Sequence, residues 1–175
     1  MSVTISGSSP TFSSGYQGGT IISGTTVTCT TQTTIDFTSI PSWAKRVTFM
    51  ISGVSLNSTT YYYVQLGTAG GIQSSGYTQA GGYCGPGSGP GYTGTTAFTR
   101  YNDTANITQS GTFVLALLDA STNTWCLSGN AATSQNYQSF MSGTVSLSGT
   151  LTTLRMTTAT GTGQFNAGKI NILYE

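Results

Sequence analysis

Acidic side chains that could catalyse a reaction are few and scattered in this sequence. The chain has no histidine, and its four carboxylates are Asp36, Asp103, Asp119 and Glu175. General acid–base chemistry at neutral pH usually uses histidine or two carboxylates with separated pKa values. No two of these acids share a local motif, so we expect no catalytic residues. Two carboxylates that met in space could still hydrolyse a surface glycan, and this alternative rests on the three aspartates.

Metal and cofactor motifs are also missing from the pattern. Cys29, Cys84 and Cys126 are far apart, with no C-x-x-C spacing and no histidine to complete a zinc site. The glycine-rich stretch 81–85 is followed by neither Gly-Lys-Ser nor a predicted helix, which is typical of a flexible loop and not of a phosphate cradle. We therefore expect no metal and no bound cofactor.

Charge is unusually low for a chain of 175 residues. Only 5% of the residues are charged, against about 25% in a typical soluble domain. Five Lys and Arg cannot form the basic stripe that nucleic-acid binding needs. No stretch approaches the roughly 18 apolar residues of a membrane span, and the first ten residues lack the features of a signal peptide. We expect a soluble protein that contacts neither nucleic acid nor the membrane interior.

The elements that must position any site are predicted to be strands. Apolar and polar residues alternate with the two-residue period of a half-buried strand in 25–37, 46–51, 61–66 and 169–175. Phe113–Leu118 is apolar on both faces, which favours a central strand covered on two sides, between layers or at a subunit contact. Only Ile40–Lys45 could form a single helical turn. We predict an all-β fold, an antiparallel β-sandwich of the jelly-roll type.

A glycine-rich segment, Gly67–Thr96, interrupts this pattern and predicts a long surface loop or a pair of loops. It contains Tyr77, Tyr83 and Tyr92. A tyrosine offers a flat apolar ring and a hydroxyl to a sugar or a protein, and binding residues concentrate on loops. These three are our candidate receptor-contact residues; packing against a neighbouring subunit is the alternative.

Self-association follows from the surface chemistry. Threonine (34 residues), serine (23) and glycine (24) make up nearly half of the chain. Neutral sheets with open edges associate, and closed oligomerisation commits those edges and enlarges a thin core. The T-x-T runs in Thr26–Thr30 and Thr31–Thr33 lack the regular repeat of a flat ice-binding array.

Five segments carry a resemblance to known proteins. Asp36–Thr48, which contains Ile-Pro-Ser-Trp-Ala-Lys-Arg, and Ile51–Ser55 closely resemble a segment of bacteriophage tail-fibre and related virion-surface proteins. Val64–Gly67, Leu151–Arg155 and the ending Phe165–Glu175 are similar to later parts of that family. The resemblance implies a β-sandwich at the outer end of a phage appendage, assembled as a trimer and without catalytic activity.

This resemblance leads to a division of the chain and to a functional hypothesis. Residues 1–34 are expected to form a short arm, or first strands, that dock on the virion, and residues 35–175 the sandwich. The candidate docking residues are Val3, Ile5, Phe12, Ile21 and Ile22. We expect a structural protein of the virion, made in the bacterial cytoplasm, whose partners are its own copies, other virion proteins and a host surface glycan or protein. A tail-fibre module is the first interpretation, and a capsid decoration, cement or head-fibre protein is the alternative.

Overall fold

The described part of the chain is built entirely from strands and their connections. A computed structural model describes residues 4–6, 9–11, 21–85, 91–100, 102 and 104–175. No helix in these ranges is long and apolar enough to cross a membrane. The strands are β1 (Thr4–Ser6), β2 (Ser9–Thr11), β3 (Ile22–Ser23), β4 (Val27–Thr28), β5 (Ile35–Phe37), β6 (Arg46–Leu56), β7 (Tyr62–Thr68), β8 (Gly71–Ile72), β9 (Thr78–Cys84), β10 (Tyr92–Gly94), β11 (Phe98–Arg100), β12 (Gln109–Asp119), β13 (Thr124–Thr133), β14 (Gln138–Ser146), β15 (Thr153–Thr158) and β16 (Phe165–Tyr174).

Two antiparallel sheets account for all of these strands except the small β1–β2 pair. The nine-stranded sheet has the order β10-β9-β14-β13-β12-β6-β16-β3, with β4 also paired to β16. The five-stranded sheet has the order β11-β7-β15-β5, with β8 paired to β7. The arrangement is consistent with a β-sandwich, so the predicted all-β antiparallel class is confirmed.

The hydrophobic core contains side chains from both sheets. Phe113 and Leu115 of β12 are fully buried, as are Val47 and Phe49 of β6. The rings of Phe49 and Phe113 stack with their centroids 4.8 Å apart. Side chains alternate between the two faces of a strand. The residues that alternate with these buried ones along β6 and β12 therefore point to the other face of the nine-stranded sheet.

The predicted strand over 25–37 is divided between the two sheets. Val27 belongs to β4 on the nine-stranded sheet, whereas Ile35 begins β5 on the five-stranded sheet. Between them, Gln32 Oε1 accepts a hydrogen bond from the backbone N–H of Thr30 at 2.7 Å, and Gln32 Nε2 donates to the carbonyl of Thr28 at 3.0 Å. The alternation continues across the connection because both strands present their odd residues to the same core.

The glycine-rich segment contains strands, so its interpretation as loops was wrong in part. Thr78–Cys84 forms β9, which lies between β14 and β10, and β8 pairs with β7. A Cβ atom built at Gly81 would overlap the carbonyl oxygen of Thr99. Glycine is therefore needed here for close packing of β11 against β9, and not for flexibility.

Candidate functional site

Two carboxylates are engaged in ion pairs between distant parts of the chain. Asp36 of β5 accepts two hydrogen bonds from Arg155 of β15, at 2.8 and 2.7 Å. Glu175 pairs with Arg46, which joins the end of the chain to the start of β6. Both acids therefore have structural partners on neighbouring strands.

The third described carboxylate stabilises a turn. Asp119 accepts hydrogen bonds from the N–H and the Oγ of Ser121, at 2.8 and 2.7 Å, in the connection between β12 and β13. These bonds hold the pKa of Asp119 below its usual value. Asp103, the remaining acid, lies outside the described residues. Within the described ranges, no three acidic or cysteine side chains cluster in a way that could hold a metal ion.

Tyr77, one of the three candidate contact residues, lies inside the protein. Its side chain is 1% exposed, and its ring packs edge-on against Phe98 at 5.0 Å. Its hydroxyl accepts a hydrogen bond from the Leu66 N–H at 2.8 Å and donates to the Gln73 carbonyl at 3.1 Å. Burial raises the pKa of Tyr77 to about 12. A ring in this position cannot stack on a receptor, and we leave Tyr77 out of the contact surface.

Tyr83 and Tyr92 are half-exposed and lie on neighbouring strands at one edge of the nine-stranded sheet. The Tyr83 ring lies 5.1 Å from the Tyr137 ring, and the Tyr92 ring lies 4.7 Å from the Tyr61 ring. In the register of β9 and β10, Tyr92 is opposite Gly81, so Tyr83 and Tyr92 share a face. That face is turned toward β11, since a Cβ atom at Gly81 would meet Thr99. The two rings therefore lie at the rim of the inner side of the sheet, half-exposed, where each still offers part of an aromatic surface.

The predicted arm ends within the nine-stranded sheet. Ile22 lies in β3 opposite Tyr174, and the side chain of Ile21 is 61% exposed beside it. Ile5 belongs to β1, whereas Val3 and Phe12 lie outside the described residues. Of the candidate docking residues, Ile21 therefore offers an exposed apolar side chain.

The larger of the two sheets has nine strands, and we call the side of it that faces away from the core the outer face. Its central strand is β12, whose Phe113 and Leu115 are buried in the core. In register, Val114 is opposite Thr48 on β6 and Ser128 on β13. The residues that the register places on the outer face are Thr48, Met50, Thr112, Val114, Ala116, Cys126, Ser128, Asn130, Phe140, Ser142, Thr144, Asn171 and Leu173. Leu118 is exposed beside them, at the bulge in β12 between Leu117 and Asp119.

None of the residues that define the outer face is charged. Charged side chains lie at its two ends: Arg46, which is opposite Ala116 and pairs with Glu175, and Asp119 at one end, and Lys169 at the other. Leu118 is 68% exposed and Phe140 is 42% exposed. With about 3.3 Å per residue and about 4.8 Å between strands, the five strands that carry these residues cover roughly 550 Å² over seven residues each. This is about two thirds of the roughly 800 Å² that each partner buries in a stable protein interface.

A buried polar cluster, which the sequence reasoning missed, connects β11 to the nine-stranded sheet. Arg100 is 1% exposed, donates to Gln109 Oε1 and lies 4.0 Å above the Tyr62 ring. Gln109 also accepts from Ser139 Oγ at 3.1 Å and donates to Asn102 Oδ1 at 3.2 Å. Burial lowers the pKa of Arg100 to about 10. The only signal in the sequence was a charged residue that ends a short apolar strand.

Comparisons with known proteins add no relative to this description. The chain matches no protein-family model, no curated protein and no solved structure.

Proposed function

We propose that this chain is a non-enzymatic structural protein of a bacteriophage virion, a jelly-roll-like tail-fibre module that assembles as a trimer and contacts the host cell surface. The observation that carries the proposal is the outer face, a broad uncharged surface with exposed apolar side chains. About half of its residues are apolar, and exposed apolar side chains that lie together often mark a contact with another protein. The resemblance of the segment around Trp43 to phage appendage proteins supplies the biological setting.

The edge strands of both sheets are short, which favours association through the outer face. The nine-stranded sheet ends in β10, with three residues, and in β3, with two. The five-stranded sheet ends in β11 and β5, with three residues each. Short edge strands offer few free backbone groups, which limits edge-to-edge pairing. Copies of this chain are therefore expected to associate by covering their outer faces.

A role in contact and not in catalysis is supported by the three carboxylates that the structure describes. Asp36 and Glu175 are engaged with arginines, and Asp119 holds its own turn. The half-exposed rings of Tyr83 and Tyr92 remain the candidate receptor-contact residues.

The first experiment tests assembly, location and host contact separately. Sedimentation analysis of the purified protein is expected to give a trimer. Counting copies in purified particles is expected to give tens at most, whereas hundreds of copies would assign the chain to the capsid as a decoration protein.

Purified protein should block phage adsorption, and changing both Tyr83 and Tyr92 to Ala should abolish the block. Unimpaired blocking by that variant would contradict the receptor role of these tyrosines.

A second experiment locates the trimer contact with the native thiols. Cys126 is exposed on the outer face opposite Ala116, Cys84 is exposed at the end of β9, and Cys29 is buried with its pKa raised to about 11. In a Cys84→Ser variant, Cys126 should react slowly with a maleimide in the trimer and quickly after mild dissociation. Fast reaction within the intact trimer would show that the contact lies elsewhere.

A further inference from the structure

A groove is lined by edge strands of both sheets, and it shares no residue with the outer face or with the tyrosine pair Tyr83 and Tyr92. β3 and β4 of the nine-stranded sheet line one part of it, and β5 of the five-stranded sheet, with the two residues after it, lines another. β16 contributes Ile172 and Tyr174. The groove has a volume of about 360 Å³, and we call it the side groove.

The most buried residues of the lining are apolar. Phe37 and Ile172 are 6% and 2% exposed, and Tyr174 is half-buried two residues further along β16. The Tyr174 ring lies 5.9 Å from the ring of Trp43, and β3 and β6 both pair with the backbone of Tyr174. An aromatic ring held in this way offers a flat apolar surface to a ligand.

The exposed part of the lining is rich in hydroxyl groups. The exposed lining residues that carry a hydroxyl are Ser23, Thr25, Thr38 and Ser39. A hydroxyl both donates and accepts hydrogen bonds, so it suits a ligand that carries hydroxyls itself. A ligand with an apolar ring face and several hydroxyls therefore matches both parts of the lining.

The charges at the groove favour a neutral ligand. Within the described part of the chain, Asp36 is the only charged residue that lines it. The two carboxylate oxygens of Asp36 accept hydrogen bonds from Arg155 at 2.7 and 2.8 Å, so the pair is neutral overall. An anion would find no cation among the lining residues, and a cation would compete with Arg155 for the carboxylate.

Backbone hydrogen bonds hold two parts of the lining in place before any ligand binds. The Gly24 N–H donates to the Ile172 carbonyl at 2.8 Å, and the Ile40 N–H donates to the Thr152 carbonyl at 3.0 Å. Between β5 and Ile40, Ser39 has a φ of 61°, which is uncommon for a residue other than glycine. Conformations of this kind persist where the surrounding structure fixes them, and they cluster at ligand sites. The groove is therefore preformed, as small-molecule sites usually are.

We propose that the side groove binds a neutral hexose of a host surface glycan. At about 30 Å³ per water molecule, the groove has room for about twelve non-hydrogen atoms, which is the size of one hexose. The apolar face of the sugar lies on Tyr174, and its hydroxyls form hydrogen bonds with Thr25, Thr38 and Ser39. This inference rests on the proposed function, because a phage appendage meets such glycans on its host.

Saturation-transfer NMR of the unchanged protein tests the ligand class, with glucose, galactose and mannose as separate probes. At least one of them should bind in a saturable way, with a dissociation constant of about 1 mM or above. Cyclohexanol has a ring of the same size with one hydroxyl, and glucuronate carries a carboxylate; both should bind more weakly than the best hexose. No saturable binding of any hexose, or a control that binds as tightly as the best one, would overturn the proposal.

Variants locate the binding in the groove. Thr25→Leu fills part of the groove and removes a hydroxyl, and should weaken hexose binding about tenfold. Thr26→Leu is the matched control, since Thr26 is equally exposed but does not line the groove, and it should bind like the unchanged protein. Tyr174→Ala removes the aromatic surface and should also weaken binding about tenfold. Equal binding by Thr25→Leu and Thr26→Leu would overturn the proposal even if Tyr174→Ala failed to fold.

Adsorption assays distinguish failure of this site from failure of the proposed function. If the unchanged protein blocks adsorption, and Thr25→Leu binds the sugar and blocks as well as Thr26→Leu, the site is overturned and the proposed function stands. If Thr25→Leu weakens sugar binding, but the unchanged protein never blocks adsorption, the site is supported and the proposed function is contradicted.

Discussion

Replacing Leu118 with aspartate tests whether the outer face is the surface that joins the copies. Leu118 is 68% exposed in the single chain. Full burial of a leucine contributes about 1.5–3 kcal/mol, so covering the exposed part contributes about 1–2 kcal/mol per copy. For three copies the loss is about 3–6 kcal/mol, which weakens the trimer by a factor of about 10² to 10⁴. The new carboxylate adds a desolvation cost in the same direction.

The assay is sedimentation velocity over a range of protein concentrations, with urea unfolding of the dissociated chain beside it. Leu118→Asp should shift the protein toward monomer, while the single chain keeps its unfolding free energy to within about 0.5 kcal/mol, as expected for an exposed position. The control is Trp43→Asp, a change at a 46% exposed residue in the turn before β6. A Leu118→Asp protein that stays fully trimeric, or a control that dissociates equally, would refute the assignment of the contact to the outer face.

Three further predictions concern the stability of the single chain. Gly81→Ala should lower the free energy of unfolding by about 1–3 kcal/mol, because its new methyl group would overlap neighbouring backbone; Gly70→Ala, whose nearest neighbouring atom would be 3.5 Å away, should be nearly neutral. Gln109→Leu should cost about 3 kcal/mol or more in urea unfolding, because it leaves the Arg100 charge buried without its acceptor. Arg100→Met, which removes the charge itself, should cost less, and the reverse order would contradict the argument. Asp119→Ala should destabilise the protein at neutral pH; because folding lowers the pKa of this group, the difference should shrink as the pH falls through that lowered pKa.

Alternation of apolar and polar residues was enough to predict several of the strands. The odd residues of 46–51 are buried in β6, and the prediction of a central strand at Phe113–Leu118 matches the place of β12 in the nine-stranded sheet. The split of 25–37 could not be predicted, because two strands that face one core continue the same alternation. Only the hydrogen bonds of Gln32 mark the point where the chain changes sheets.

The glycine-rich segment shows where composition misleads. Glycine is usually a signal of turns, but Gly81 is required by the closeness of two strands that are distant in sequence. The same limit applies to Tyr77 and to Arg100. A tyrosine among glycines predicts exposure and an arginine predicts a surface position, yet both are buried because other parts of the chain supply hydrogen bonds to them. Such partners are set by the tertiary fold and not by the local pattern.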